Sequence, residues 1–173
     1  MTHIWRSISG LDLMQGDILD CCAIALVPDG FSLASDSNEI QVETRRLIVM
    51  TQSCDLSNNK STYAALCPVF TLPELQQVNP RLAQRGKWEE IRRSKIEGLY
   101  MLPSVIDPAI NRDALVVDFR MIVSLPIGYL LRHAGELVGR PRLQSPYVEH
   151  FSQSFARFFM RVGLPSQIPE FTA

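Results

Sequence analysis

No apolar run in this sequence approaches the roughly 18–20 residues that span a bilayer, so its 46% apolar content is available for a folded core. The first residues, Met1-Thr2-His3-Ile4-Trp5-Arg6, lack the basic start, long apolar stretch and small-residue cleavage site of a secretory signal. Excess charge is missing too: 17 Lys+Arg against 18 Asp+Glu leave a net charge of −1 and a pI near 6.3. That balance excludes a global attraction to nucleic acid or anionic membrane, and any basic surface must be local. There is no internal repeat and no low-complexity segment. The cysteines (Cys21, Cys22, Cys54, Cys67) form no CxxC spacing, and the histidines form no HxxxH. Neither a zinc framework nor, without a secretory signal, a disulfide framework is expected. In a strand, adjacent Cys21 and Cys22 would point to opposite faces, which does not suit a shared ion. The expectation is free thiols in a reducing compartment, the cytoplasm, with no metal, no cofactor and no membrane. At 173 residues the chain suits one domain.

The chain itself reads as α+β. Asp17 to Val27 is apolar and β-branched and ends at the Pro28-Asp29-Gly30 turn signal, which predicts a buried strand. Ser32 to Asn38 is polar and reads as an exposed loop. Ile40 to Gln52 alternates and then runs apolar through Leu47–Met50, as a strand passing from an edge into a core would. Asp55 to Lys60 reads as a turn, and Thr62 to Phe70 as the return strand of an antiparallel hairpin. Pro68 there marks an edge, a bulge or the strand's end. With Asn58-Asn59 at the hairpin's centre, Cys54 would oppose about Tyr63 and Cys67 about Met50. Thr71 with Pro73 and Glu74 predicts a helix start, and Asn79-Pro80 another. Arg81 to Ile96 is charged and predicts a solvated helix or helix pair over the sheet. Leu99 to Leu102 and Ala114 to Leu125 return to strand chemistry, with Asp107-Pro108 as the turn between them. Ile127 to Ala134 predicts a short helix closed by Gly135. Ser145 as N-cap and Pro146 at the first helical position open a last helix that Gly163 and Pro165 stop. Its Val148, Phe151, Phe155, Phe158, Phe159 and Val162 share one wide apolar face.

Three pieces of the first half resemble, in order, the MazF/PemK-type toxin endoribonucleases, which are small SH3-like antiparallel β-barrels. Met14-Gln15-Gly16-Asp17-Ile18-Leu19 resembles the Gly-Asp-apolar opening of their first strand. Arg45-Arg46-Leu47-Ile48-Val49-Met50-Thr51 resembles their Arg-Pro-apolar-apolar-Val-apolar-Ser strand, with Leu47 in place of the proline. Asn58-Asn59-Lys60 leading through Ala65-Leu66-Cys67-Pro68-Val69-Phe70-Thr71 resembles the turn and the following strand. The resemblance implies a barrel core over about 14–71 and 98–125, a helical insertion over 72–97 and a C-terminal helical extension over 126–173. It also implies metal-independent RNA cleavage by attack of a ribose 2′-hydroxyl on its phosphate. Arg46 would stabilise the phosphorane, Thr71 would assist, and Arg45 would contact RNA. A toxin–antitoxin or defence setting, an antitoxin-like protein partner and a homodimer follow from the same resemblance. The plainer reading makes Arg46 an edge-strand arginine and Thr71 a helix cap.

Two further constellations stand outside that resemblance. Cys54-Asp55 lies where a strand leaves the core, and a thiolate there would be a nucleophile if His133 or His150 were folded against it. Otherwise Cys54 is a small buried residue and Asp55 an Asx-turn residue. His150, Ser154, Arg157 and Arg161 recur at three- and four-residue steps along one stripe of the last helix. With Arg140 and Arg142 just before, that stripe would grip RNA phosphates. Alternatively it is a solvated shoulder pairing with Glu149 or Glu136. Three functions therefore stand side by side: an endoribonuclease, a non-catalytic SH3-like module binding a protein or nucleic acid, and an enzyme centred on Cys54 and Asp55.

Overall fold

Runs such as Leu47–Met50 and Leu66–Phe70 are apolar at consecutive positions, which a strand tolerates only when both of its faces are covered. The computed structural model, which describes residues 3–32, 39–58, 60–105 and 114–160, meets that condition. Arg161, Val162, the Gly163 and Pro165 stop signals, Asp107-Pro108, Asn59 and most of the Ser32–Asn38 stretch lie outside the described residues.

The elements are β1 (Trp5–Ile8), β2 (Ile18–Leu26), β3 (Gln41–Val49), α1 (Ser53–Ser57), β4 (Tyr63–Thr71), α2 (Leu72–Val78), a 3-10 turn (Pro80–Ala83), α3 (Lys87–Arg92), β5 (Leu99–Leu102), β6 (Leu115–Asp118), β7 (Val123–Pro126), α4 (Ile127–Glu136), β8 (Arg140–Leu143) and α5 (Tyr147–Phe159). This is a mixed α+β fold on antiparallel pairings. The larger sheet has the order β2-β3-β4-β6-β5, with β7 also paired to β4. Strands β1 and β8 form a separate pair, which meets β2 through the bridge between Asp17 and Arg142. Neither sheet closes on itself: β2 and β5 remain the ends of the larger one. The closed barrel that the resemblance implies is not formed by these hydrogen bonds.

Alternation along each strand sorts its side chains to two cores. Leu19, Cys22, Leu47, Val49, Ala64 and Leu66 face α4, packing on Ile127, Leu130 and Ala134. Ile18, Ile48, Met50, Cys67, Val69 and Val117 face the other way, onto Leu143 of β8 and Phe151 of α5. Phe70 and Val116 extend the first face and are covered by Leu75, Leu82 and Ile91 of the insertion. The insertion thus lies over the sheet, as its charged sequence predicts. Thr71 opens α2 with a capping box: its Oγ1 accepts from the Glu74 N–H at 3.3 Å, and its own N–H donates to Glu74 Oε2 at 2.7 Å.

Several local expectations need correction. The single strand over Ala114–Leu125 is broken in two. The chain takes six steps from Val117 to Val123 while β4 takes three from Val69 to Leu66. The excess is looped out so that Phe119 can bury itself among Phe151 and Phe155, with ring centroids at 5.7 and 5.3 Å. Ser53–Ser57 is a helical turn, so Cys54 has no cross-strand partner, and Cys67 opposes Ile48 instead of Met50. The extension is not purely helical, because Arg140–Leu143 pairs with Trp5–Ile8. Helix α5 starts one residue later than the capping signals suggest, with Pro146 as its N-cap.

Candidate functional site

Arg46 lies two residues before Ile48, and Thr71 follows Val69 by two, so both belong to the face that carries Ile18 and Leu115. At this end of the face, Arg46 and Thr71 line one cavity of about 280 Å³ with Asp20, Ser104, Leu115 and Pro141. The guanidinium is held at 2.5 Å from Asp20 Oδ1, with both side chains substantially exposed. It is not buried under the insertion helices.

Asp20 reaches Arg46 because of a β-bulge. Leu19 pairs with Leu47 but the next paired residue, Cys22, faces Arg45, so β2 carries one extra residue opposite Arg46. The bulge turns both Asp20 and Cys21 outward and returns Cys22 to the core. Cys21 takes the strain, with φ at 56° in the left-handed region that L side chains rarely occupy. Helix α4 braces the bulge from the edge: the Tyr129 hydroxyl accepts from Ala23 N–H at 2.7 Å, and His133 Nε2 lies 2.6 Å from the Asp20 carbonyl. The strained backbone of Cys21 is thus held in place at the lip of the cavity, beside the Arg46 cation and the Asp20 carboxylate. Beyond it, a second cavity of about 430 Å³ runs along Cys21, Glu43, Arg45 and Arg46 toward α2. Arg45 faces it paired to Glu43 at 2.5 Å.

Other candidates fall elsewhere. Arg140 and Arg142 turn inward, with 3% and 7% of their surface exposed, and neither presents a guanidinium to RNA. Both are held by Asp17, fully buried, at 3.2 and 2.5 Å, and Arg142 also by Asp12 at 2.7 Å. The Asp17 and Asp12 carboxylates hold the Arg142 guanidinium well above its ordinary pKa. The Gly16-Asp17 opening thereby acquires a physical role. Gly16, at φ 83°, lets β8 pass so closely that a Cβ would lie 3.0 Å from Leu143, and Asp17 anchors that strand's two arginines.

Cys54 is exposed rather than buried, and lines a cavity of about 750 Å³ between α1, β8 and α5. Its Sγ lies 3.7 Å from Gln52 Oε1 and from Asp55 Oδ1, and Asp55 pairs with Lys60 at 3.3 Å. Neither His133, bonded to the Asp20 carbonyl, nor His150 lines this cavity. The base that a thiol nucleophile would need is therefore not an imidazole here. Burial pushes the Cys22 and Cys67 thiols up to about 12. Arg157 and His150 are exposed on α5 and Arg161 lies outside the described residues. Among the described residues no cluster of His, Cys, Asp or Glu suits a metal ion, and no helix is long and apolar enough to cross a membrane.

Reading the sequence did not single out Asp20, and it considered Cys21 only as a metal ligand. The available signal was one carboxylate set within an otherwise apolar strand, but only the bulge turns it toward Arg46. No family model matches this chain, and no curated protein matches it in sequence.

Proposed function

We propose that the chain engages RNA at the Arg46 groove and cleaves it as a ribonuclease, on a distant, opened relative of the SH3-like barrel of MazF/PemK toxins. The single observation that carries this reading is the convergence of Arg46, Asp20 and Thr71, from β3, β2 and β4, on one open cavity. Their chemistry matches the demands of transfer within the RNA chain. The Asp20 carboxylate takes the proton of a 2′-hydroxyl as its oxygen bonds to the adjacent phosphorus. The Arg46 fork stabilises the added negative charge on the phosphoryl oxygens and cannot itself deprotonate. The Thr71 hydroxyl, an acceptor in the α2 cap, still has its own proton to donate to a phosphoryl oxygen. As the bond to the 5′-oxygen breaks, that oxygen takes a proton from the protonated Asp20 or from water. The products are a 2′,3′-cyclic phosphate and a 5′-hydroxyl.

The test is cleavage of a mixed set of single-stranded RNAs in the presence of EDTA. Wild type should leave 2′,3′-cyclic ends, while Arg46→Ala and Asp20→Asn should each lose roughly 100-fold or more in rate. Absence of cleavage by wild type across the set, or retention of full activity by Arg46→Ala, rules the proposal out.

A further inference from the structure

Most arginines and lysines of the described residues are tied to carboxylates. Arg45, Arg46, Lys60, Lys87, Arg92, Arg93, Arg120, Arg140 and Arg142 all sit within ion-pair distance of an Asp or Glu. Arg6, Arg81, Arg85, Lys95, Arg132 and Arg157 are exposed and have no such pair among the described residues, and of these Lys95 and Arg157 are far apart in sequence. They nevertheless face the same cavity, of about 550 Å³, between the α3–β5 connection and α5.

The backbone builds this juxtaposition. Ser94, in the left-handed region at φ 53°, turns the chain out of α3, and the Lys95 N–H donates to the Glu90 carbonyl at 2.8 Å. Three residues on, Gly98 at φ 79° brings the chain against α5. A Cβ there would lie 2.7 Å from the Arg120 side chain and 3.2 Å from the Phe158 ring. That close approach sets Lys95 beside the α5 residues Ser154, Arg157 and Phe158, with Tyr100 in the wall. Burial raises the Tyr100 pKa, its hydrogen bond to Ser154 acting against that rise; the phenol stays protonated and polar. Glu97, also in the lining, has an interaction of its own.

We infer that this cavity binds a nucleotide of single-stranded RNA, its phosphate between Lys95 and Arg157 and its base against the Phe158 and Tyr100 rings. Two cations from separate elements, hydroxyl groups between them and aromatic rings at the wall are the parts that grip a single strand without reading its sequence. The exposed Phe159 and Met160 continue the apolar rim along α5. A membrane surface is the less suitable occupant, because the cations and hydroxyls line a concavity. The inference rests on the RNA-binding half of the proposed function and is independent of cleavage.

The experiment measures binding of a fluorescent 2′-O-methyl RNA, which cannot be cut by its own 2′-oxygen, by anisotropy across a salt series. Wild type, Lys95→Ala, Arg157→Ala and the double variant are compared; both positions are exposed, so the fold should persist. The double variant should bind about tenfold or more weakly. Its slope of log K against log salt should be shallower by about 0.7, the loss of one phosphate contact to a single strand. Arg46→Ala, assayed in parallel on ordinary RNA, separates the two ideas. If it and wild type both fail to cleave while binding still depends on Lys95 and Arg157, the inference stands and the ribonuclease reading falls. The inference is overturned by unchanged affinity and slope in the double variant, by no RNA binding in wild type, or by binding to anionic phosphatidylserine vesicles only.

Discussion

Asp17→Asn keeps the size of the side chain and removes one negative charge from the most buried ionic cluster. Asp17 is 0% exposed, and its carboxylate accepts from Arg140 Nε at 3.2 Å, Arg142 Nε at 2.5 Å, Arg142 Nη2 at 2.8 Å and the Met14 N–H at 3.2 Å. In the variant, Arg142 keeps Asp12, whereas Arg140 keeps only the carbonyls of Gly10, Asp12 and Ala134. A buried cation is left with dipoles and no anion. Removing one partner of a buried pair costs about 3–5 kcal/mol, and the surviving carbonyl bonds favour the lower end, about 3 kcal/mol. At about 2–4 °C per kcal/mol for a chain of this size, the melting temperature should fall by roughly 6–12 °C. Urea unfolding followed by circular dichroism measures the stability loss, with Arg93→Ala, at a surface pair with Glu89, as a control expected within about 0.5 kcal/mol of wild type. Adding Arg140→Met to Asp17→Asn should restore part of the loss, since the orphaned charge goes with it. A loss below about 1 kcal/mol for Asp17→Asn, or strict additivity in the double variant, would refute the assignment of this cluster as the clamp between β8 and β2. The consequence reaches the groove, because Pro141 of the same strand forms part of its wall.

Two further outcomes test the packing. An aromatic disulfide reagent should titrate Cys21 and Cys54 rapidly in the native protein, and Cys22 and Cys67 only after denaturation, because the latter pair is buried with thiol pKa values pushed up to about 12; four fast thiols would contradict the fold. Phe151→Ala should cost about 3–5 kcal/mol in urea unfolding, since the ring is fully buried between Tyr100 and Phe119; a cost under 1 kcal/mol would mean that α5 does not cover the sheet.

Much of the fold was legible because the residues concerned act locally. Leu99–Leu102 is read with its observed bounds, and β2, β3 and β4 with bounds one to three residues off. A strand buried on both faces needs apolar residues at consecutive positions, and that signature survives in one dimension. Thr71, Pro73 and Glu74 announced the α2 cap for the same reason, since all its partners lie within one turn. Strands β1 and β8 were not legible: Trp5-Arg6-Ser7-Ile8 and Arg140-Pro141-Arg142-Leu143 carry little apolar pattern and pair over more than 130 residues of sequence.

The site divides along the same line. The strand pattern of the sequence predicted the hairpin, and the resemblance to the MazF/PemK-type toxins implied Arg46 and Thr71 as its candidate positions. Only tertiary structure decided what surrounds them. One extra residue in β2 swings Asp20 onto Arg46, a choice made by pairing register and by the Tyr129 and His133 braces. Arg140 and Arg142 show the converse: their charges suggest a surface, but burial against Asp17 makes them part of the frame. A charged side chain's role depends on the partner it finds across space, and a linear sequence does not carry that distance.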